Sequence, residues 1–218
     1  MSRAELLGVV LDFLEVAIHG LLCVTGVYPR DVFSARRAYG ISVAMSRHPG
    51  VNRSVRAALQ GLRAPLLAGS IECVVLTLLD ARSGAALEAF PIDIDLGAPE
   101  EVPATKRDVE AMFAAALTRI MLLDSPAVRR GTLSGRDLDG GERTWTLHAL
   151  AHEGCGEHSG ALSSTPEWTR VDPGDADAPL LALRGQSAPG PTQPRWGVIK
   201  SVSAGHLRMQ LRVMSTQP

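Results

Sequence analysis

The chain has 218 residues, of which 45% are hydrophobic and 21% charged, so it is long enough to bury a sizeable core without disulfides or a metal ion. Lysine and arginine number 22 against 23 acidic residues, a formal net charge of -1. This balance gives no electrostatic basis for direct, non-specific binding to nucleic acid or to an anionic membrane. The three cysteines are widely separated, which favours a reducing compartment over a secreted disulfide framework.

The N-terminal stretch 4–27 is the most apolar part of the chain and predicts a helix that protein surrounds on most sides. Its ionisable residues argue against a membrane span or a signal sequence. On a helix they fall within one narrow stripe, which holds Glu5, Asp12, Glu15 and His19. We interpret this stripe as the solvated side of a central core helix, with a paired acid/base site as the alternative.

Two further helices are predicted downstream. Apolar residues recur at three- and four-residue steps over 51–67, with Asn52 as the expected N-cap and Gly69 as the expected stop. Thr105 followed by Asp108 resembles a capping box that opens a third helix, and the apolar pattern continues to about Leu123.

Four strands are predicted from β-rich or alternating patterns. The runs 71–79 and 87–96 are separated by turn residues and should form an antiparallel hairpin. Pro91 has no N–H to donate, so it places the second of these strands where one side is not fully paired, such as an edge or a bulge. The stretches 144–151 and 206–214 alternate apolar with polar residues, which indicates strands with one buried face.

A long segment with little periodicity, 154–195, separates the last two predicted strands and holds six of the chain's 14 prolines. A segment of this length inside a compact domain is typical of a functional loop or of disorder. Strand-forming residues return after it, so we do not interpret it as a tail. The order of elements predicts an α+β domain with helices packed on a mostly antiparallel sheet.

No intact catalytic motif is found in the sequence. The nearest approach to a metal site is the set His148, His152, Cys155 and His158. On a strand, His148 and His152 would lie about 13 Å apart, too far for one tetrahedral ion. We therefore expect no metal site and no catalytic residue, and keep a zinc or thiol hydrolase built on the last three residues as the enzymatic alternative.

The three tryptophans are notable because only 4% of the residues are aromatic. Trp145 lies in a predicted strand, where core packing is expected. Trp168 and Trp196 lie in or beside the proline-rich segment, so anchoring of a partner and core packing are both open for them.

Several short motifs together resemble the HORMA-domain proteins that serve as accessory subunits of DNA polymerase zeta, also called the mitotic arrest-deficient-like protein B family. These motifs are FLEVAIH at 13–19, VYP at 27–29, Tyr39, Met45 and Ser46, His48 and Pro49, VVLTLL at 74–79, AFPIDI at 89–94, and LRMQL at 207–211. The resemblance is strong over 9–95 and 195–213.

The resemblance implies one HORMA domain over 1–218, an α+β fold with a mostly antiparallel sheet backed by three helices. Its core would span about 4–152, and a C-terminal safety belt would span about 153–214. Such proteins are nuclear, non-catalytic adaptors without cofactors. The belt closes over a Pro-containing peptide of the polymerase zeta catalytic subunit, in support of translesion DNA synthesis, and the peptide adds a strand to the sheet. A spindle-checkpoint or meiotic HORMA adaptor, with a different partner peptide, is the alternative.

The resemblance also assigns residues to the peptide site and to a dimer interface. Trp168 matches the family's belt tryptophan, and Arg170 lies beside it. Ser54 stands where the family has a tyrosine that touches the peptide, so this contact would be lost or replaced. Ala114 stands where the family has an arginine in its HORMA–HORMA dimer interface, which makes that dimer less secure.

A second partner surface is implied by three C-terminal positions, Trp196, Gln210 and Arg212. In the family they bind the C-terminal domain of the deoxycytidyl-transferase translesion polymerase. Only Gln210 keeps the family's residue type, because a leucine has become Trp196 and a tyrosine has become Arg212. The second partner is therefore in doubt, or it has changed together with this surface.

Overall fold

The computed structural model describes residues 1–97, 105–124, 142–151 and 195–215. In chain order its elements are α1 (Arg3–Val24), a 3₁₀ turn (Arg30–Val32), β1 (Phe33–Ala38), β2 (Ile41–Ser46), α2 (Pro49–Leu67), β3 (Ile71–Asp80), β4 (Ala86–Asp95), α3 (Lys106–Leu122), β5 (Arg143–Ala151), β6 (Arg195–Ala204) and β7 (Leu207–Ser215). The three helices and the antiparallel strands confirm the predicted α+β class.

Five strands form one sheet in the order β5-β3-β4-β7-β6, and β1 pairs with β2 in a separate hairpin. Every pairing in the described residues is antiparallel. The predicted β3–β4 hairpin is confirmed. Pro91 is not at an edge, because β4 lies inside the sheet. The β4–β7 ladder nevertheless has no residue pairs at Phe90 and Pro91, so the expected gap in pairing is present on that side.

The helices cover one face of this sheet, and α1 is the central element of the core. Leu14, Ile18 and Leu21 on α1 have no exposed side-chain surface. Phe13 stacks on Phe113 of α3 with ring centroids 4.3 Å apart. By length and composition α1 would be able to cross a membrane, but 61% of its most apolar window is buried inside this fold, as in a core helix.

The helix boundaries correct one prediction and confirm two. Helix α2 begins at Pro49, and its N-cap is His48 instead of Asn52, since the His48 side chain accepts from the Val51 N–H. Gly69 ends the helix as predicted, with a φ of 70° that favours glycine. Thr105 caps α3 and accepts from the Asp108 N–H at 3.2 Å.

The predicted solvated stripe of α1 is wrong at its C-terminal end. His19 is fully buried. Glu15 accepts a hydrogen bond from Arg56 of α2 at 2.8 Å, so it links two helices instead of facing solvent alone. Asp12 and Glu5 are exposed, as expected.

We name the side of the five-stranded sheet that faces away from the helices the far face. Leu207, Met209, Leu211 and Val213 of β7 are buried in the helix-side core, and the polar residues between them point to the far face. This confirms the predicted strand with one apolar and one polar side.

Candidate functional site

The outer edge of β5, which we call the open edge, has no partner strand among the described residues. In the part of the chain that the structure describes, β5 pairs with β3 and with no other strand. Natural proteins usually protect such edges with lysine, proline or a bulge. From 144 to 151 the strand reads TWTLHALA, which contains no lysine, proline or glycine. The edge can therefore accept an added strand.

The opposite edge of the sheet, β6, carries features that protect a strand edge. Its register with β7 shifts between Val198 and Lys200, which marks a bulge. Lys200 places a charged side chain on the strand, and α3 packs against β6. A bulge and a lysine both discourage strand addition, so β5 is the better acceptor of the two edges.

The chain segment between β5 and β6 joins the two edge strands of the sheet. The described part of β5 runs to Ala151, and β6 begins at Arg195. Three strands separate β5 from β6, which corresponds to about 20 Å across the sheet. Residues 152–194 therefore link the open edge of the sheet to its protected edge.

The first part of β5 is held by the loop that follows α1. The Trp145 indole Nε1 donates to the Tyr28 hydroxyl at 2.9 Å, and Arg143 Nη1 donates to the Thr25 carbonyl at 3.0 Å. Trp145 is partly buried against the core, as predicted. These contacts position the strand whose outer edge is open.

Of the four residues predicted for the peptide site and the dimer interface, two lie within the described residues. Ser54 is exposed on α2, and Ala114 is half-buried on α3. Trp168 and Arg170 lie outside the described residues, so their assignment stays a prediction.

Two of the three residues predicted for the second surface lie on the same face of β7. Gln210 and Arg212 both point to the far face, and Trp196 occupies the neighbouring strand opposite Met214. Gln210 Nε2 donates to the Ser201 hydroxyl at 2.8 Å. Arg212 Nη2 donates to Asp93 Oδ1 at 2.6 Å. Asp93 was not among the predicted site residues, and its only signal in the sequence is an acidic residue between Ile92 and Ile94.

The three residues of the enzymatic alternative lie outside the described residues, so that alternative is not tested by the structure. His148 lies in β5, and His152, Cys155 and His158 fall outside the described ranges. Within those ranges no group of three or more His, Cys, Asp or Glu could hold a metal ion. Burial, with the nearby Asp93 carboxylate, raises the pKa of the Cys73 thiol, which therefore stays protonated.

His19 is a buried histidine, and we expect it to make the stability of the fold depend on pH. It is fully buried, and among the described residues neither ring nitrogen has a hydrogen-bond partner. Burial lowers the pKa of His19, with Glu15 opposing and Arg56 adding to the effect. The unfolded chain takes up a proton near pH 6.5, whereas the folded chain resists it, so stability is complete above that pH and falls below it.

We expect the free energy of unfolding to decrease by up to about 1.4 kcal/mol per pH unit below about pH 6.5 because of this residue. Urea denaturation at pH 7.5 and pH 5.5 measures the change, and His19→Leu is the comparison. The variant should lose this part of the pH dependence. Equal pH dependence in both proteins would show that His19 does not cause it.

The comparisons with known proteins point to one fold and one group of relatives. No model of a protein family matches the chain. The chain is 31% identical over 121 residues to the mitotic spindle assembly checkpoint protein MAD2B of Bos taurus, covering 54% of this chain and 56% of that protein. It is 36% identical over 86 residues to MAD2B of Homo sapiens, covering 39% and 40%.

A yeast relative and two solved structures extend the comparison. The chain is 27% identical over 153 residues to the DNA polymerase zeta processivity subunit of Schizosaccharomyces pombe, covering 66% of this chain and 67% of that one. A chain of a mitotic checkpoint complex superimposes with a TM-score of 0.69 at 19% identity, covering 97% of this chain and 98% of that one. C. elegans HTP-2 bound to a HIM-3 closure motif gives a TM-score of 0.62 at 10% identity, covering 96% and 89%.

The matched regions span about half the length of the first two relatives. The structural likeness covers nearly the whole chain and shows the fold. The relatives confirm the predicted resemblance to the polymerase zeta accessory-subunit family, and the solved structures show that the chain has the HORMA fold.

Proposed function

We propose that this chain is a non-catalytic nuclear adaptor that captures a Pro-containing peptide from the catalytic subunit of DNA polymerase zeta, in support of translesion synthesis. The observation that carries the proposal is the open β5 edge, which residues 152–194 connect to the hairpin of β6 and β7 at the other side of the sheet. The name of the S. pombe relative supports the choice of partner. Contact with DNA then belongs to the partners, in agreement with a net charge of -1.

The peptide would extend the sheet as a sixth strand beside β5. Its main-chain groups would pair with the outward-facing N–H and C=O groups of that edge, which supplies affinity that depends little on sequence. We propose that about 4–152 form the core and about 153–214 the belt. A belt anchored in the sheet by β7 would slow dissociation more than association.

Selectivity would come from side chains beside this strand. Trp168 and Arg170 are the proposed belt contacts, and Ser54 offers only a short hydroxyl where the family has a tyrosine. We retain Trp196, Gln210 and Arg212 as the proposed surface for the deoxycytidyl-transferase polymerase. Ala114 is the proposed dimer position, where a methyl group replaces an arginine.

A spindle-checkpoint or meiotic adaptor is the second candidate. The observation that favours it is the structural likeness to a chain of a mitotic checkpoint complex and to a HORMA protein with a bound closure motif. The two candidates share the mode of capture and differ in the peptide, so parallel titrations with both kinds of peptide distinguish them.

The test is a calorimetric titration of the full chain with Pro-containing peptides from its own polymerase zeta catalytic subunit, followed by a scan with single N-methylated amides. In a strand, every second N–H points to the same edge. We therefore expect saturable binding and a loss that alternates along the peptide, about 1–3 kcal/mol at positions facing β5 and little at those between them.

The methylated positions that face away from β5 are the matched control, because they carry the same chemical change. Methylation effects without alternation would contradict strand addition. Binding of checkpoint or meiotic peptides alone would favour the second candidate, and binding of neither would overturn the adaptor proposal.

A further inference from the structure

The seam between β4 and β7 is where the C-terminal hairpin joins the sheet of the core. Strand β7 pairs with β4 on one side and with β6 on the other, and β6 is the edge. No other strand in the described ranges links the hairpin to the sheet. The strength of this seam therefore bears on how firmly the proposed belt is held at its C-terminal end.

The backbone ladder of this seam is interrupted. The paired positions run from Glu88 opposite Ser215 to Ala89 opposite Met214, and resume at Ile92 opposite Leu211. The missing part contains Pro91, which has no N–H to donate. Continuing the register across this gap places Arg212 opposite Pro91.

A charged side-chain pair spans the interrupted part. Arg212 reaches diagonally to Asp93, two residues beyond Pro91, and their closest atoms are 2.6 Å apart. The two side chains are only 26% and 34% exposed. A charge-assisted hydrogen bond of this length with limited access to water is stronger than a neutral one and is screened less by salt.

A second pair on the same two strands provides the contrast. Arg208 and Asp95 are 3.6 Å apart, with 61% and 59% of their side chains exposed. Exposed pairs of this kind contribute little to stability. Both pairs join β4 to β7. The exposed pair therefore serves as a control for the effect of charge alone on this face.

We propose that the Asp93–Arg212 pair is a clasp that replaces the ladder hydrogen bonds missing at Pro91 and holds the C-terminal hairpin on the core sheet. Arg212 then serves as a positioning residue that retains a captured peptide, in addition to the contact with the second partner proposed above. The part of this inference that concerns retention rests on the proposed function, whereas the clasp itself can be measured without a peptide.

The experiment compares amide hydrogen exchange of the full-length chain and its Asp93→Asn and Arg212→Gln variants, without peptide. We expect exchange in β6 and β7 to become faster by on the order of tenfold in each variant, with β3 unchanged. The charge-exchanged double variant Asp93→Arg/Arg212→Asp should recover most of the protection. The control variants Asp95→Asn and Arg208→Gln should stay within about twofold of the parent protein.

Unchanged exchange in both clasp variants would overturn the proposal, and it is the result that a purely partner-contacting Arg212 would give. Equal acceleration in β3, or no recovery in the double variant, would overturn it as well. If either clasp variant fails to fold, Arg212→Lys retains the charge and should show a smaller acceleration confined to the hairpin.

Peptide dissociation then tests retention separately. We expect a captured peptide to leave the clasp variants faster by a factor similar to the change in exchange. If exchange responds as expected and no peptide binds the parent protein, the clasp stands and the proposed function fails. If peptide binds and hairpin exchange does not respond, the clasp fails and the proposed function stands.

Discussion

Trp168→Ala is expected to weaken binding of the polymerase zeta peptide by about 2 kcal/mol or more, while the fold stays intact. Tryptophan is enriched among the residues that dominate binding energy at interfaces, because a large rigid ring is desolvated in a pocket of the partner. Trp168 lies in the sequence that connects the open edge of the sheet to the C-terminal hairpin. Under the proposed function, this ring would contact the peptide strand added to β5.

The measurement is the dissociation constant of the peptide for the parent protein, Trp168→Ala and Trp168→Phe. The phenylalanine variant is the matched control, since it keeps an aromatic ring and should lose less than the alanine variant. Urea denaturation of the free proteins shows whether the fold is affected. Unchanged affinity in Trp168→Ala would remove this residue from the peptide site.

Phe113→Ala is expected to lower the free energy of unfolding by about 3–5 kcal/mol. Phe113 is fully buried in α3. Its ring stacks on Phe13 of α1, and Tyr39 meets it edge-on with centroids 5.3 Å apart. Truncation leaves a cavity where α1, α3 and the β1–β2 hairpin meet, and it also removes both ring contacts.

Urea denaturation of the parent protein and the variant measures this loss. Leu122→Ala on the same helix is the control, because Leu122 is 46% exposed and should cost well under about 1 kcal/mol. Phe113→Leu should fall between the two. A loss below about 1 kcal/mol in Phe113→Ala would show that this packing is not a main support of the core.

Local structure followed closely from the sequence. The three helices and the four predicted strands lie where periodicity placed them, within a few residues. The reason is that periodicity, caps and turns act over fewer than ten residues: Thr105 caps α3 through the N–H three residues later, and Gly69 ends α2 through its own positive φ. The N-cap of α2 was assigned to Asn52 instead of His48, because histidine is not among the usual capping residues.

Strands β1, β2 and β6 were not predicted. The other errors and omissions concern contacts between distant parts of the chain. The stripe pattern on α1 assigned His19 to solvent, but the packing of the other elements around α1 buries it. Pro91 indicated incomplete pairing of its strand, yet the sequence does not say which neighbour is affected. The pairing of Asp93 with Arg212 spans 119 residues and has no local signal.

By itself the sequence determined the type and approximate bounds of the three helices and of four of the seven described strands, and its motifs indicated the HORMA family, because both depend on residue types at short spacing. Only the tertiary structure decided which edge of the sheet is open and which residue bridges the gap at Pro91. Both depend on the order of strands in the sheet. That order is fixed by the burial of apolar faces and the backbone pairing of segments far apart in sequence, which no local pattern encodes.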